Sequence, residues 1–258
     1  PINESPNGIV SWNWKANGSG SANTDGTISS TVSANTTAGF SIVKYTGTGS
    51  AATVGHGLGV TPGMVIVRPY TLVQYTSVFH SVTGTSYYGY LNVSDAFINS
   101  PSNVWDSTMS STVFGVGGGV ATNISGETHI AYCFAPVQGY SKFSSFIGNG
   151  NANGPFVYTG FRPAFIMMKE SNASGQGWCI KTSASNSHTG NQNNYFLNTA
   201  NTNVEHTSDT TFGVDFLSNG FKIRSTDGIM NGSGDTFIYM AFAEFPIVGS
   251  NDTPGVAR

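Results

Sequence analysis

The residues able to do chemistry are few, and their spacing limits what they could do. The five histidines are His56, His80, His129, His188 and His206. None forms an HxH or HxxxH pair, so the spacing predicts no metal site. A glycosidase needs two carboxylates facing one cleft. Asp95, Asp106, Glu170, Asp209 and Asp215 are the candidates, and nothing in the pattern pairs them. The chain carries no GxSxG nucleophile elbow and no phosphate loop. The run GVGGG (115–119) is glycine-rich, but no helical pattern follows it. Two cysteines, Cys133 and Cys179, sit in the apolar runs AYCFA and GWCIK. Buried free thiols are the expected reading, with a single bridge between them as the alternative. No catalytic residue, metal or cofactor is therefore expected.

Aromatic residues are the remaining candidates. Tyr75, Tyr87, Tyr88, Trp105 and Trp178 fall near loops or strand ends, where rings can stack on sugars or meet another protein. The structural alternative is that they cap a β-sandwich.

Composition narrows the class. Charged residues make up 9% of the 258, hydrophobic residues 38% and aromatic residues 12%. Gly, Ser, Thr and Asn take the place of charge, while the aromatics supply packing and argue against disorder. The net charge is −3 with no Lys/Arg cluster, which argues against binding nucleic acid by phosphate neutralisation. No apolar run reaches the roughly 18 residues that a membrane-spanning helix needs.

These residues would be positioned by strands. Val10, Trp12 and Trp14 alternate with Ser11, Asn13 and Lys15. The segments VSWNWKA (10–16), IAYCFAP (130–136) and IYMAFAE (238–244) fall in step, and read as one closing strand seen three times. On that reading residues 1–16 end a preceding unit of a longer protein, with both tryptophans mostly buried. Residues 17–38 are polar and low in complexity, a linker or edge segment in which ISSTVS could form a weak strand. That strand, at 28–33, is a candidate to pair with a neighbouring chain.

The first unit is expected over 39–137 and the second over 139–248, followed by a polar tail at 249–258. The apolar run MVIV (64–67) corresponds to FIMM (165–168) and reads as a strand buried on both faces. Phe114 matches Phe221, Asn123 matches Asn231, and Ser125-Gly126-Glu127-Thr128 matches Ser233-Gly234-Asp235-Thr236. Short strands with closely spaced turns predict an all-β fold: two tandem antiparallel β-sandwich, jelly-roll-like units with little helix.

GLGVTPGMVIV, SGETHIAYCFAPVQGYSKF, GNGNANGPFVYTGFRPAFIMMK, DFLSNGFKIRST and TFIYMAFAE together resemble tandem-repeat virion proteins of marine tailed bacteriophages. The resemblance runs from about Val10 to Pro246. It implies a structural protein rather than an enzyme, placed on the virion as a tail fibre or host-contacting appendage. Expected partners are further copies of the chain in a homo-oligomer, other virion proteins and host surface glycans, with no nucleic acid and no membrane insertion. Capsid decoration without a receptor role is the alternative, and a polysaccharide depolymerase the third. Asn13 departs from the pattern, which has Cys in the closing strand.

Overall fold

A computed structural model describes residues 11–119, 121–183, 195–197 and 212–245. The first ten strands are β1 (Ser21–Asn23), β2 (Ser30–Asn35), β3 (Phe40–Thr46), β4 (Ala52–Gly55), β5 (Met64–Pro69), β6 (Ser77–His80), β7 (Tyr87–Tyr90), β8 (Ile98–Asn99), β9 (Val113–Val116) and β10 (Thr128–Phe134). Then follow β11 (Ser141–Ile147), β12 (Phe156–Tyr158), β13 (Pro163–Glu170), β14 (Trp178–Thr182), β15 (Tyr195–Leu197), β16 (Gly213–Leu217), β17 (Gly220–Arg224) and β18 (Thr236–Ala243). The helix among the described residues is a single turn, α1 (Gly228–Asn231), started by the Asp227 carboxylate accepting from Ile229 N–H.

The fold is all-β, and the named strands pair antiparallel. An eight-stranded sheet runs β1-β2-β3-β10-β5-β6-β7-β8, and a five-stranded sheet runs β11-β18-β13-β14-β15. Smaller sheets are β12-β17-β16 and β4-β9, the latter extended by a bridge from Met109 to Phe114.

Three apolar layers hold the sheets together. One lies between the eight-stranded sheet and β4-β9, around Val43, Val65, Phe114 and Cys133. A second lies between the five- and three-stranded sheets, around Ile166, Met168, Phe221 and Tyr239. The third lies between the two large sheets, around Met64, Ile66, Phe134, Phe165, Met167 and Phe242.

This stacking accounts for the continuous apolar runs. Successive side chains on a strand point to opposite faces. In β5, Met64 and Ile66 enter the layer between the large sheets, while Val65 and Val67 enter the outer one. In β13, Phe165 and Met167 enter the same middle layer, and Ile166 and Met168 the other outer one. Each side chain so buried contributes roughly 1.5–3 kcal/mol.

Polar contacts fix how the two large sheets meet. Trp178 Nε1–H donates to the Tyr90 carbonyl at 2.9 Å. His80 Nε2 lies 3.1 Å from the Tyr239 carbonyl. A Cβ on Gly63 would fall 2.6 Å from ring carbons of Phe143, so only glycine lets these segments touch.

A hydrogen-bond interlock occurs twice. Gly47 N–H bonds Glu127 O and Gly49 N–H bonds Asn123 O; likewise Gly148 N–H bonds Asp235 O and Gly150 N–H bonds Asn231 O. A Cβ on Gly47 or on Gly148 would stand 2.2 Å from a carbonyl oxygen, of Ile124 or of Gly232. At the centre of each interlock sits a fully buried amide, Asn123 or Asn231. Both asparagines lie in N-x-S sequons, and their burial closes them to glycosylation.

Two local expectations change. Residues 11–16 belong to no strand. The alternation survives without a ladder: Trp12, Trp14 and Ala16 pack on the middle layer while Ser11, Asn13 and Lys15 face solvent. The tryptophans are half-buried rather than mostly buried, because the segment lies over the edge of the layer and not within it. Val10 lies outside the described residues, as does the tail at 249–258. The polar segment 17–38 supplies β1 and β2. β2 pairs with β3 of its own chain, through Ser30↔Tyr45 to Asn35↔Phe40, so that edge is already covered. The outermost strand there is the three-residue β1, too short to offer a long unpaired edge.

Candidate functional site

The second large sheet covers part of the inner face of the eight-stranded sheet. Beside it the face opens into a groove of about 460 Å³, walled by Trp12 and Trp14 and floored by Ile42, Ile66, Tyr132 and Phe134.

Register explains the floor. Tyr132 of β10 lies between Ile42 of β3 and Ile66 of β5, and Phe134 lies between Phe40 and Met64. Two residues back along β10, Ile130 lies between Lys44 and Arg68. With a side-chain period of two, these three rows share one face. The floor therefore grades from phenylalanine, through tyrosine flanked by isoleucines, to a row bearing two cations about 10 Å apart across two strand spacings. Thr31 continues the cationic row beyond Lys44, and Thr76 lines the groove near Arg68.

Trp14 is fixed by aromatic edges. Its ring centroid lies 5.5 Å from Phe134, 5.6 Å from Phe165 and 5.4 Å from Phe242. The segment behind it is held by Asn35 Nδ2–H donating to the Lys15 carbonyl, and by Ser33 Oγ accepting from Asn17 N–H. Tyr132 is 39% exposed, and Lys44 and Arg68 are exposed. Among the described residues the ion pairs are Arg162–Glu244 and Arg224–Asp215, so neither Lys44 nor Arg68 is neutralised. Among the described residues no carboxylate lines the groove.

Of the aromatic residues singled out from the sequence, Tyr75, Tyr88 and Trp178 all contact Tyr90, but they form no shared open ring surface. Trp105 and Trp178 are 1% and 0% exposed, and Tyr88 is also buried, so none of the three can present a ring face to a ligand. They fill layers within the stack: Trp105 packs edge-on to Phe79, and Trp178 bonds Tyr90 across the sheets. Tyr75 is exposed and stacks on Tyr90 at 4.5 Å. Tyr87 is exposed beside a second groove, lined by Phe97 and Asn172.

The candidate carboxylates do not line one groove, although Glu170 lies beside Asp235. Asp215 pairs with Arg224 at 2.6 Å, and Asp106 accepts from the Thr108 backbone and hydroxyl. Glu170 is buried, and burial raises its pKa, with the Asp235 carboxylate adding to the effect. Asp95 is exposed, and Asp209 lies outside the described residues.

His56, His80 and His129 are each fully buried and bonded to backbone at both ring nitrogens. Burial holds all three below the ordinary imidazole value, His80 down to about 4. They are neutral packing groups with fixed tautomers. His188 and His206 lie outside the described residues. Cys133 and Cys179 are free and buried in different layers, with burial pushing their thiols up to about 12 and about 11. Among the described residues no three His, Cys, Asp or Glu side chains converge as a metal site.

Sequence reasoning placed Trp12 and Trp14 in a strand, and it missed Tyr132 and Arg68 as groove residues and Lys44 as the cation in the same row as Arg68. One signal was present: Arg68 ends the apolar run MVIV on the phase of Met64 and Ile66, so a cation follows two core positions on one face.

No curated protein and no solved structure matches this chain. A family described as "Domain of unknown function (DUF7483)" matches residues 1–246, and the chain belongs to that family.

Proposed function

We propose that this chain is a structural domain of a tailed-bacteriophage virion, serving as part of a tail fibre or similar appendage that contacts the host surface. It acts by binding rather than catalysis, and works beside further copies of itself and other virion proteins. The resemblance of its motifs to virion proteins of marine tailed phages supports the virion half of this reading. The host-contact half is carried by one observation: an open groove walled by tryptophan, floored by tyrosine and isoleucine, and rimmed by Arg68 and Thr76, with Lys44 in the same row as Arg68. Apolar ring faces with a polar rim are the chemistry that grips a sugar. Repeated display on a fibre converts weak sugar contacts into firm attachment.

We also read the chain as two copies of one unit, 39–137 and 139–248. The twice-formed glycine–asparagine interlock supports this. So do the matching positions of β5 and β13, each paired with the strand that closes its half.

Antibody labelling of purified virions, read by electron microscopy, tests the placement. Label at the tail tip or fibres is expected. Label spread over the capsid would favour decoration, and no label on intact particles would overturn the reading. Recombinant domain should also compete with phage for adsorption, and should release no reducing ends from host polysaccharide. Cleavage abolished by one Asp or Glu substitution would make the protein a depolymerase.

A further inference from the structure

We propose that the groove takes an anionic oligosaccharide, one whose sugars carry carboxylate or sulfate groups. This deepens the host-contact reading and rests on it. The sugar rings lie against Tyr132 and the two tryptophans, and the anionic groups meet Lys44 and Arg68.

Register carries the argument. Lys44, Ile130 and Arg68 form one row across three strands, and Tyr132 stands in the next row on the same face. A ligand crossing both rows meets an aromatic face and two cations without turning a corner. Charge complementarity selects the sign. In a chain with only 9% charged residues, two exposed cations stand in one row, and among the described residues no carboxylate lines the groove. Arg68 offers a planar fork of N–H donors suited to carboxylate or sulfate.

The form of the surface selects the class. A neutral sugar would leave both cations unanswered. An acidic peptide could answer them, but it would leave the tryptophan wall and the tyrosine floor without a ring to stack on. Asn13 and Thr76 add amide and hydroxyl partners for sugar hydroxyls within the same walls.

Isothermal titration of the whole chain tests this with four probes: an oligomannuronate, a sulfated galactan oligosaccharide, a neutral gluco-oligosaccharide and poly-glutamate. Binding of one or both anionic sugars is expected, weakening as salt is raised, with the two arms separating carboxylate from sulfate. Arg68→Gln should weaken it about tenfold, as loss of one charge-assisted hydrogen bond does. Lys44→Gln in addition should weaken it further, and Lys222→Gln on a different sheet should leave it unchanged. Tyr132→Ser should weaken binding without altering its salt dependence.

Equal binding of the neutral sugar, indifferent to Arg68→Gln, would overturn the proposal. So would poly-glutamate binding as tightly as the sugars, or a concentration-dependent dimer dispersed by Tyr132→Ser. Absence of any sugar binding would also overturn it, and would leave the virion labelling result standing. Sugar binding by a protein that labelling fails to find on virions would remove the placement and keep the ligand.

Discussion

Asn231→Asp is the sharpest test of how the fold is held. The Asn231 amide is fully buried. Its Oδ1 accepts from Asn149 N–H at 2.8 Å. Its Nδ2 lies 2.7 Å from the Ser225 carbonyl, 2.9 Å from the Asn151 carbonyl and 3.0 Å from Asn149 Oδ1. Two hydrogens serve three acceptors, so one is shared. Aspartate keeps the shape and the acceptor but removes both donors, leaving a carboxylate against buried carbonyl oxygens. Two lost bonds at about 1 kcal/mol each, with buried acceptors unsatisfied at about 1–3 kcal/mol, give a loss of about 3–5 kcal/mol at pH 7. That corresponds to a fall of about 10 °C in melting temperature for a chain of this size. Those carbonyls raise the folded-state pKa of the introduced carboxyl above its unfolded value. The folded state then binds the extra proton, and a neutral carboxyl regains one donor. The deficit against the parent should therefore narrow as pH falls through that raised pKa toward 4. Urea unfolding of parent and variant at pH 7, 5.5 and 4 measures it. A loss below about 1 kcal/mol, or a deficit constant with pH, would refute the argument. Asn123→Asp, at the other interlock, should behave alike.

Acid should loosen the contact between the large sheets. Folded His80 takes its proton only at about 4, whereas the unfolded imidazole does so near 6.5, so stability is full above about 6.5 and lost as pH falls toward 4. The depression corresponds to about 3 kcal/mol, and His80→Gln should flatten this part of the stability profile; an unchanged slope would assign the loss to other groups. Gly63→Ala should cost about 1–3 kcal/mol by forcing a methyl into the Phe143 ring, measured by melting temperature, and a neutral result would mean that the sheets can part there. Cys133 and Cys179 should resist a thiol reagent in the native protein and react only at the rate of unfolding. Prompt labelling of either would contradict its burial.

The sequence by itself determined the fold class and much of the vertical order of side chains. A period of two says which residues of a strand share a face. MVIV and FIMM, apolar on both phases, had to be covered on both faces, and they are. The glycine and asparagine landmarks marked the turns because those turns admit no Cβ and require a buried amide. Tertiary structure decided which strands lie side by side and what covers each face. Tyr132, Lys44 and Arg68 come from three strands spread over the chain, and only register sets them in adjacent rows. Trp105 and Trp178 sit near strand ends that look exposed in sequence, yet the stacked sheets bury them. Trp12 and Trp14 keep their alternation without a ladder, because packing against Phe134, Phe165 and Phe242 holds them where no strand partner does. Periodicity is local and survives in the chain; lateral neighbours are set by contacts between residues far apart in sequence, and those exist only once the sheets have stacked.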